Sequence, residues 1–421
     1  MTDDPLANPL SPGITRADAC RTIEALRAGV AAPCVSRYLS RGRDEILRAV
    51  AEDLLSVQAD GKSRGLVISA SYGQGKSHLL NLVSTTARDN GFAVAKLVLS
   101  KEAPVHNLKR LYQKIATSVI LPSEDEPGME RALGALRPTS NRVQDLFFYS
   151  STKLHPRINA PLVAYFNTSD AYEQSLLFGD LVGDFLPLYQ LRAITKAANA
   201  GEKVPKLPRE EFGQYFLLLA ALVRTLGWRG LVLLLDEVEL LAALSISSRV
   251  KAYLHIASLL GVGGPFTARH MYTVLFVASG FYADVISGRG ELQKVRSWAT
   301  ERYGEEVARQ VGAVLDVFIS DRIELPDLSE QDVRTLLLSI TKLHGQAYKW
   351  NASLDMDQVL DRTKNSPLRT VLRGAVEWLD LAYLYAEKPA FAVKEVNGGI
   401  PLEDEDLFAV EAEPTNSPED E

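Results

Sequence analysis

Ala70-Ser71-Tyr72-Gly73-Gln74-Gly75-Lys76-Ser77 stands between the apolar run Leu66, Val67, Ile68 and a helix-prone stretch, His78 to Val83. Strand, glycine-rich turn and helix in that order are what a phosphate-binding loop requires. Backbone N–H groups of the turn and the first helical turn face the phosphate, helped by the positive end of the helix dipole. Gly73 and Gly75 let the backbone close without a Cβ in the way. The pattern assigns nucleotide contacts to Ser71, Tyr72, Gly73, Gln74, Gly75, Lys76, Ser77 and His78. Lys76 is placed to reach the β- and γ-phosphates, and the Ser77 hydroxyl to hold Mg²⁺. Ala70 departs from the usual first glycine and is small enough to be tolerated.

A second signal lies about 160 residues downstream. Leu231-Val232-Leu233-Leu234-Leu235 reads as a strand buried on both faces of a parallel sheet, and it ends in Asp236-Glu237. Phosphoryl transfer needs Mg²⁺ held opposite the loop and a carboxylate to orient the attacking water. Asp236 fits the first need and Glu237 the second, as general base or water-positioner. Glu239 is equally well explained as a solvated residue at a helix start. Ser279 tips the next buried strand, 272–278, where it either senses the γ-phosphate or caps a turn before Gly280. Arg369 opens a helix after Asn365-Ser366-Pro367-Leu368, from where it either swings onto the γ-phosphate or sits on the surface. Arg296, Arg302 and Arg322 are candidates for an inter-subunit arginine finger, and the sequence does not choose among them. The segment 37–43, with Tyr38, either covers the adenine or is a polar loop between helices.

Around these motifs the chain divides into an expected flexible leader (1–13), a nucleotide-binding domain (14–325), a C-terminal helical lid (326–390) and an acidic, disordered tail (391–421). Helices are expected after Thr15, over 43–57, 212–226 and 250–260, and through 290–317; strands are expected at 66–70, 93–99, 231–235, 272–278 and 322–325. Between 101 and 208 the pattern shows helical segments, proline-bearing breaks and no strand, a helical insertion of about a hundred residues. The fold class is α/β, a parallel sheet with a large helical insertion.

Nearly half of the 421 residues are apolar and about a quarter charged, as in a soluble globular protein. The formal charge is −7, yet nine acidic residues and no Lys or Arg lie in 403–421, which leaves the rest of the chain at +2. The near-neutral body neither announces nor excludes nucleic acid. Cys20 and Cys34 lack metal-ligand company and read as reduced. No basic-then-apolar leader and no membrane-length apolar run is present, so a cytoplasmic protein without membrane contact is expected.

Strand, phosphate loop, Asp-Glu strand, polar-tipped strand and a helical lid with an early arginine together resemble the AAA+ superfamily, notably ATPases of the origin-recognition type. A tighter likeness runs through 23–30, Tyr72-Gly73-Gln74-Gly75-Lys76-Ser77-His78-Leu79-Leu80 and 97–102. These stretches resemble the ATP-binding proteins of BREX phage-defence systems, the BrxC/BrxD family, with the BrxD branch nearer in size. The resemblance covers most of 15–385 and implies ATP and Mg²⁺, a helicase-like or other defence-system partner, and action on DNA or a DNA-bound complex; an ATP-dependent homo-oligomer is a separate expectation, tied to the arginine-finger candidates. An ATP-gated adaptor or a DNA-loading module with little turnover would share the same motifs.

Overall fold

The structure is a computed structural model that describes residues 14–200, 204–364 and 366–385. The expected leader, the tail, Asn365 and the last residues of the expected lid lie outside these residues.

Six strands form one sheet: β1 (Arg64–Ala70), β2 (Ala93–Val98), β3 (Val119–Ile120), β4 (Leu231–Asp236), β5 (Met271–Ala278) and β6 (Ile323–Glu324), in the order β3-β2-β4-β5-β1-β6. All neighbours are parallel except β3, which runs antiparallel to β2. The insertion therefore contains a strand that the sequence reading missed, and the sheet is mostly rather than wholly parallel. Two residues are too few to show a period-2 pattern, so nothing in the sequence marks β3.

The all-apolar β4 follows from burial on both faces. Leu231, Leu233 and Leu235 join the larger core with Ala93, Ala95, Met271 and Leu275. Val232 and Leu234 join a second core under the helices Asp44–Asp60 and Lys76–Asp89, with Ile68, Val274 and Phe276. Alternation is present, but both sides need apolar residues, so the run reads as continuous.

The insertion supplies helices Leu108–Thr117, Met129–Gly134, Asn141–Lys153, Pro156–Asn167, Ala171–Leu181 and Leu188–Ala197. A buried pair fastens it: Arg157 donates to both oxygens of Asp180 at 2.7 Å, and Asp180 is fully buried. The charged stretch 290–317 resolves into two helices, Glu291–Tyr303 and Glu305–Ser320.

A third core joins the two ends of the described chain. Ala19, Ile23 and Leu26 of the helix Arg16–Arg27, with Val35 and Leu39, pack against Leu336, Ile340, Leu343, Ala375 and Leu379 of the helices Glu330–Tyr348 and Leu368–Tyr385. Arg27 adds a two-pronged pair to Asp380, Nε at 2.8 Å and Nη2 at 2.7 Å. The sequence reading put 14–39 with the nucleotide-binding domain; the segment meets both parts, its apolar stripe packing on the C-terminal helices while Ser36 meets His78 and the Ala31 carbonyl accepts from Asn81. An amphipathic stripe reports that an apolar partner exists and not where in the chain it lies.

Cys20 and Cys34 are both free and partly buried. Among the described residues no helix is long and apolar enough to cross a membrane.

Candidate active site

The parallel register brings the carboxyl ends of β1, β4 and β5 to one edge, where ligands of open α/β sheets bind. Ala70 is level with Ala278, and the Ser279 N–H donates to the Ala70 carbonyl at 3.0 Å. From Ala70 the chain turns through Gly73 (φ +80°) and Gly75 (φ +99°), left-handed conformations that favour glycine. The helix Lys76–Asp89 then begins; its first internal bond is Leu79 N–H to the Gly75 carbonyl at 2.9 Å. The N–H groups of Lys76, Ser77 and His78 thus have no partner within the helix and are available to an anion.

Lys76 reaches across to β4. Its Nζ lies 3.0 Å from Asp236 Oδ1, 3.3 Å from Glu237 Oε1 and 3.5 Å from Glu239 Oε1. Burial alone would lower the lysine's pKa, but the three carboxylates outweigh it and hold the ammonium above its usual range. Asp236 is buried, and its Oδ1 also accepts the Glu237 N–H at 2.9 Å. Glu237 is a non-glycine residue at φ +61°, a conformation that costs about 1 kcal/mol or more and recurs where a side chain must be aimed. Its carboxylate is the most exposed of the three.

Glu239 is not solvated. The 3-10 turn Val238–Ala243 folds it back so that Oε2 accepts the Ala278 N–H at 3.0 Å while Oε1 faces Lys76. Burial pushes its pKa up against the pull of Lys76. Sequence reasoning left this residue undecided; the one available sign was an acid set between Val238, Leu240 and Leu241.

Ser279 and Ser71 meet through their hydroxyls at 2.8 Å. Arg369 lies against the loop: its N–H donates to the Gly73 carbonyl at 3.4 Å, and Nη1 donates to the Tyr72 hydroxyl at 3.1 Å. Its guanidinium stands over the Tyr72 ring, 5.2 Å from the centroid. Pro367 covers Gly73 so closely that a Cβ there would come within 2.6 Å of the proline Cβ. Gln74 links the loop to the chain after β6, Nε2 donating to Asp327 Oδ1 at 2.7 Å, and Arg43 donates both to the Gln74 carbonyl (3.2 Å) and to the Pro326 carbonyl (2.7 Å). His78 sits against Ser36, Nδ1 to Oγ 3.3 Å; burial, then the charge of Arg43, drives its pKa down to about 4.

These elements enclose a cavity of about 560 Å³. Its floor is the loop Ala70–His78 with Glu237, Glu239 and Ser279; its apolar wall includes Leu26, Val30, Val35, Leu39, Leu336 and Leu372. Of the residues read from sequence, Ser71 to His78, Glu237, Ser279 and Arg369 are brought together here, and Asp236 lies one salt bridge behind Lys76. Tyr38 is not: its ring packs against the third core, and its neighbours Val35 and Leu39 face the cavity instead. None of the three finger candidates lines it. Arg322 is held within its own fold, donating to Glu324 and stacked 4.0 Å over Tyr282. Arg296 and Arg302 are exposed on the helix Glu291–Tyr303.

The donor set suits a metal-bound nucleoside triphosphate. Unpartnered N–H groups and a lysine meet phosphate oxygens, and a hydroxyl (Ser77) and a buried carboxylate (Asp236) are hard oxygen ligands of the kind Mg²⁺ takes. The family model described as BREX system ATP-binding protein BrxC/D matches residues 14–135 and 195–376, well over half of the chain. The helices between the two matched blocks lie in the insertion. No curated protein matches the chain.

Proposed function

Because the chain belongs to the BrxC/D family of BREX system ATP-binding proteins, we propose that it is an AAA+-type ATPase that hydrolyses ATP, with its C-terminal helices as the lid. The observation that carries this reading is Lys76 bridged to Asp236 and Glu237 beneath an open phosphate loop. Adenine lies against Leu26, Val35, Leu39 and Leu336, and the triphosphate runs over Gly73 to His78. Lys76 exchanges its carboxylates for the β- and γ-phosphates. Ser77 and Asp236 would hold Mg²⁺, which supplies charge neutralisation at the phosphates. Glu237, freed from Lys76, orients the attacking water, and Ser279 and Arg369 report the γ-phosphate to β5 and to the lid.

Steady-state phosphate release tests it. Glu237→Gln should bind ATP as the wild type does and lose turnover by about a hundredfold or more. A wild type without turnover, alone or with DNA, would sink the hydrolysis reading.

A second reading, an ATP-gated adaptor, is favoured by the contacts that tie the loop to the C-terminal helices: Arg369 on Gly73 and Tyr72, and Gln74 on Asp327. Nucleotide entry would move those helices and so signal to a partner. Family membership supports work in BREX phage defence; a helicase-like partner, action on DNA and ATP-dependent self-assembly are further parts of the proposal. Native mass with and without ATP tests the assembly, and ATP-dependent, salt-sensitive retention on DNA tests a DNA-loading role.

A further inference from the structure

At the opposite edge of the sheet, one strand length (about 20 Å) from the phosphate loop, lies a second pocket of about 310 Å³. Arg142, Arg224 and Arg269 converge on it from three elements: the insertion helix Asn141–Lys153, the helix Gln214–Thr225 and the turn before β5. Among the described residues none of the three forms an ion pair, and Asp145 is the acid in the pocket wall. Three arginines facing one acid leave the pocket with an excess of positive charge, which suits an anion.

The pocket is built rather than incidental. His270 is held at φ +54°, its N–H donating to the Gly61 carbonyl and its own carbonyl accepting the Leu231 N–H, both at 3.0 Å. Arg224 Nη1 donates to His270 Nε2 at 3.0 Å, so the imidazole is neutral there and fixes the guanidinium. Two left-handed glycines leave the room. A Cβ on Gly227 would come within 2.8 Å of Arg142 Nη1, and one on Gly61 within 2.6 Å of the His270 ring and 3.3 Å of Arg269 Nη2. Tyr149 completes the wall, its hydroxyl in the field of Arg269 and Arg224. Planar guanidinium forks from three directions match the tetrahedral oxygens of phosphate better than a flat carboxylate.

We propose that this pocket is a second phosphate-binding site, separate from the nucleotide cavity, taking a phosphate group either free or carried on a phosphodiester backbone. Arg142 and Tyr149 come from the helices that lie between the two blocks matched by the family, so the site is assembled where the insertion meets the sheet.

The test uses the full chain carrying Lys76→Ala, which disables the first site, with inorganic phosphate by calorimetry and a labelled single-stranded 20-mer by anisotropy. At least one probe should bind, and Arg224→Gln with Arg269→Gln should weaken it tenfold or more. Binding of phosphate alone identifies the free source. Binding of the oligonucleotide identifies the backbone, and the slope of log affinity against log salt should then fall by about one for each arginine removed. Should the double variant melt early, Arg142→Gln, which is exposed, carries the same expectation. Binding of neither probe, or equal binding by the variants, overturns the proposal.

Discussion

Replacing Glu239 by Gln should tighten ATP binding, which is unusual for a change inside a nucleotide site. Lys76 is held by three carboxylates, and any incoming phosphate must displace them. At the 3.5 Å between Lys76 Nζ and Glu239 Oε1, an effective dielectric of about 20 gives a gross attraction of about 5 kcal/mol. Asp236 and Glu237 remain on Lys76 in the variant, and water at the cavity mouth screens the rest. About 1–2 kcal/mol should survive, the scale of one charged hydrogen bond, which is roughly five- to thirtyfold in affinity. The amide oxygen still accepts the Ala278 N–H, so the end of β5 keeps its tether. Stability should not fall. Burial raises the pKa of Glu239, so this group favours the folded state most below its unfolded pKa, and that contribution disappears as pH rises through the folded value. At pH 7 a neutral amide removes the penalty. Calorimetry with ATP in EDTA isolates the competition for Lys76 from metal effects, and a thermal melt checks the fold. Affinity unchanged or weaker in a variant that melts no lower than wild type would refute the idea that Glu239 competes for the lysine.

Three other substitutions probe the frame around the site. Gly73→Ala forces a Cβ into Pro367 at φ +80°, and the melting temperature should drop by the equivalent of about 1–2 kcal/mol or more, together with weaker ATP binding by titration. Asp180→Ala strands Arg157 in the insertion and should cost about 3–5 kcal/mol in denaturant unfolding, leaving the ATP site's ligands in place. His78→Gln addresses pH: an unfolded histidine takes its proton near 6.5, while the folded one resists until about 4. Wild-type stability should therefore decline as pH falls through that window, by about 3 kcal/mol at its foot, and His78→Gln should flatten this part of the curve in melts from pH 7 to pH 4.

The parts of this molecule that were legible in its sequence are those in which one short stretch carries both structure and chemistry. Ala70 to Ser77 states its turn and its helix together with residue types suited to phosphate, and Leu231 to Asp236 states a doubly buried strand with a carboxylate at its tip. The rest depended on what meets what. Tyr38 and Val35 lie three residues apart in one short helix and both meet the third core; only packing decides that the valine also lines the cavity while the tyrosine does not. Glu239 needed the direction of a 3-10 turn. Arg322 looked available as a cation until Tyr282 and Glu324 were seen to hold it. In each case the residue type was informative, and the packing that selects its partner was not.

The shared core of the first and last helices bears on how the protein is made. Arg27 and Asp380, which clasp each other in the finished molecule, are 353 residues apart. At 5–20 residues per second, a ribosome needs roughly 20–70 s to travel between them. Until the helices Glu330–Tyr348 and Leu368–Tyr385 emerge, the stripe of Ile23 and Leu26 lacks those partners, while the sheet and phosphate loop are already emerging. The apolar wall of the cavity, which includes Leu336 and Leu372, is therefore among the last surfaces to exist. A truncated or stalled chain would present an unfinished loop and a bare apolar helix, a form for chaperones or proteases to meet before ATP can.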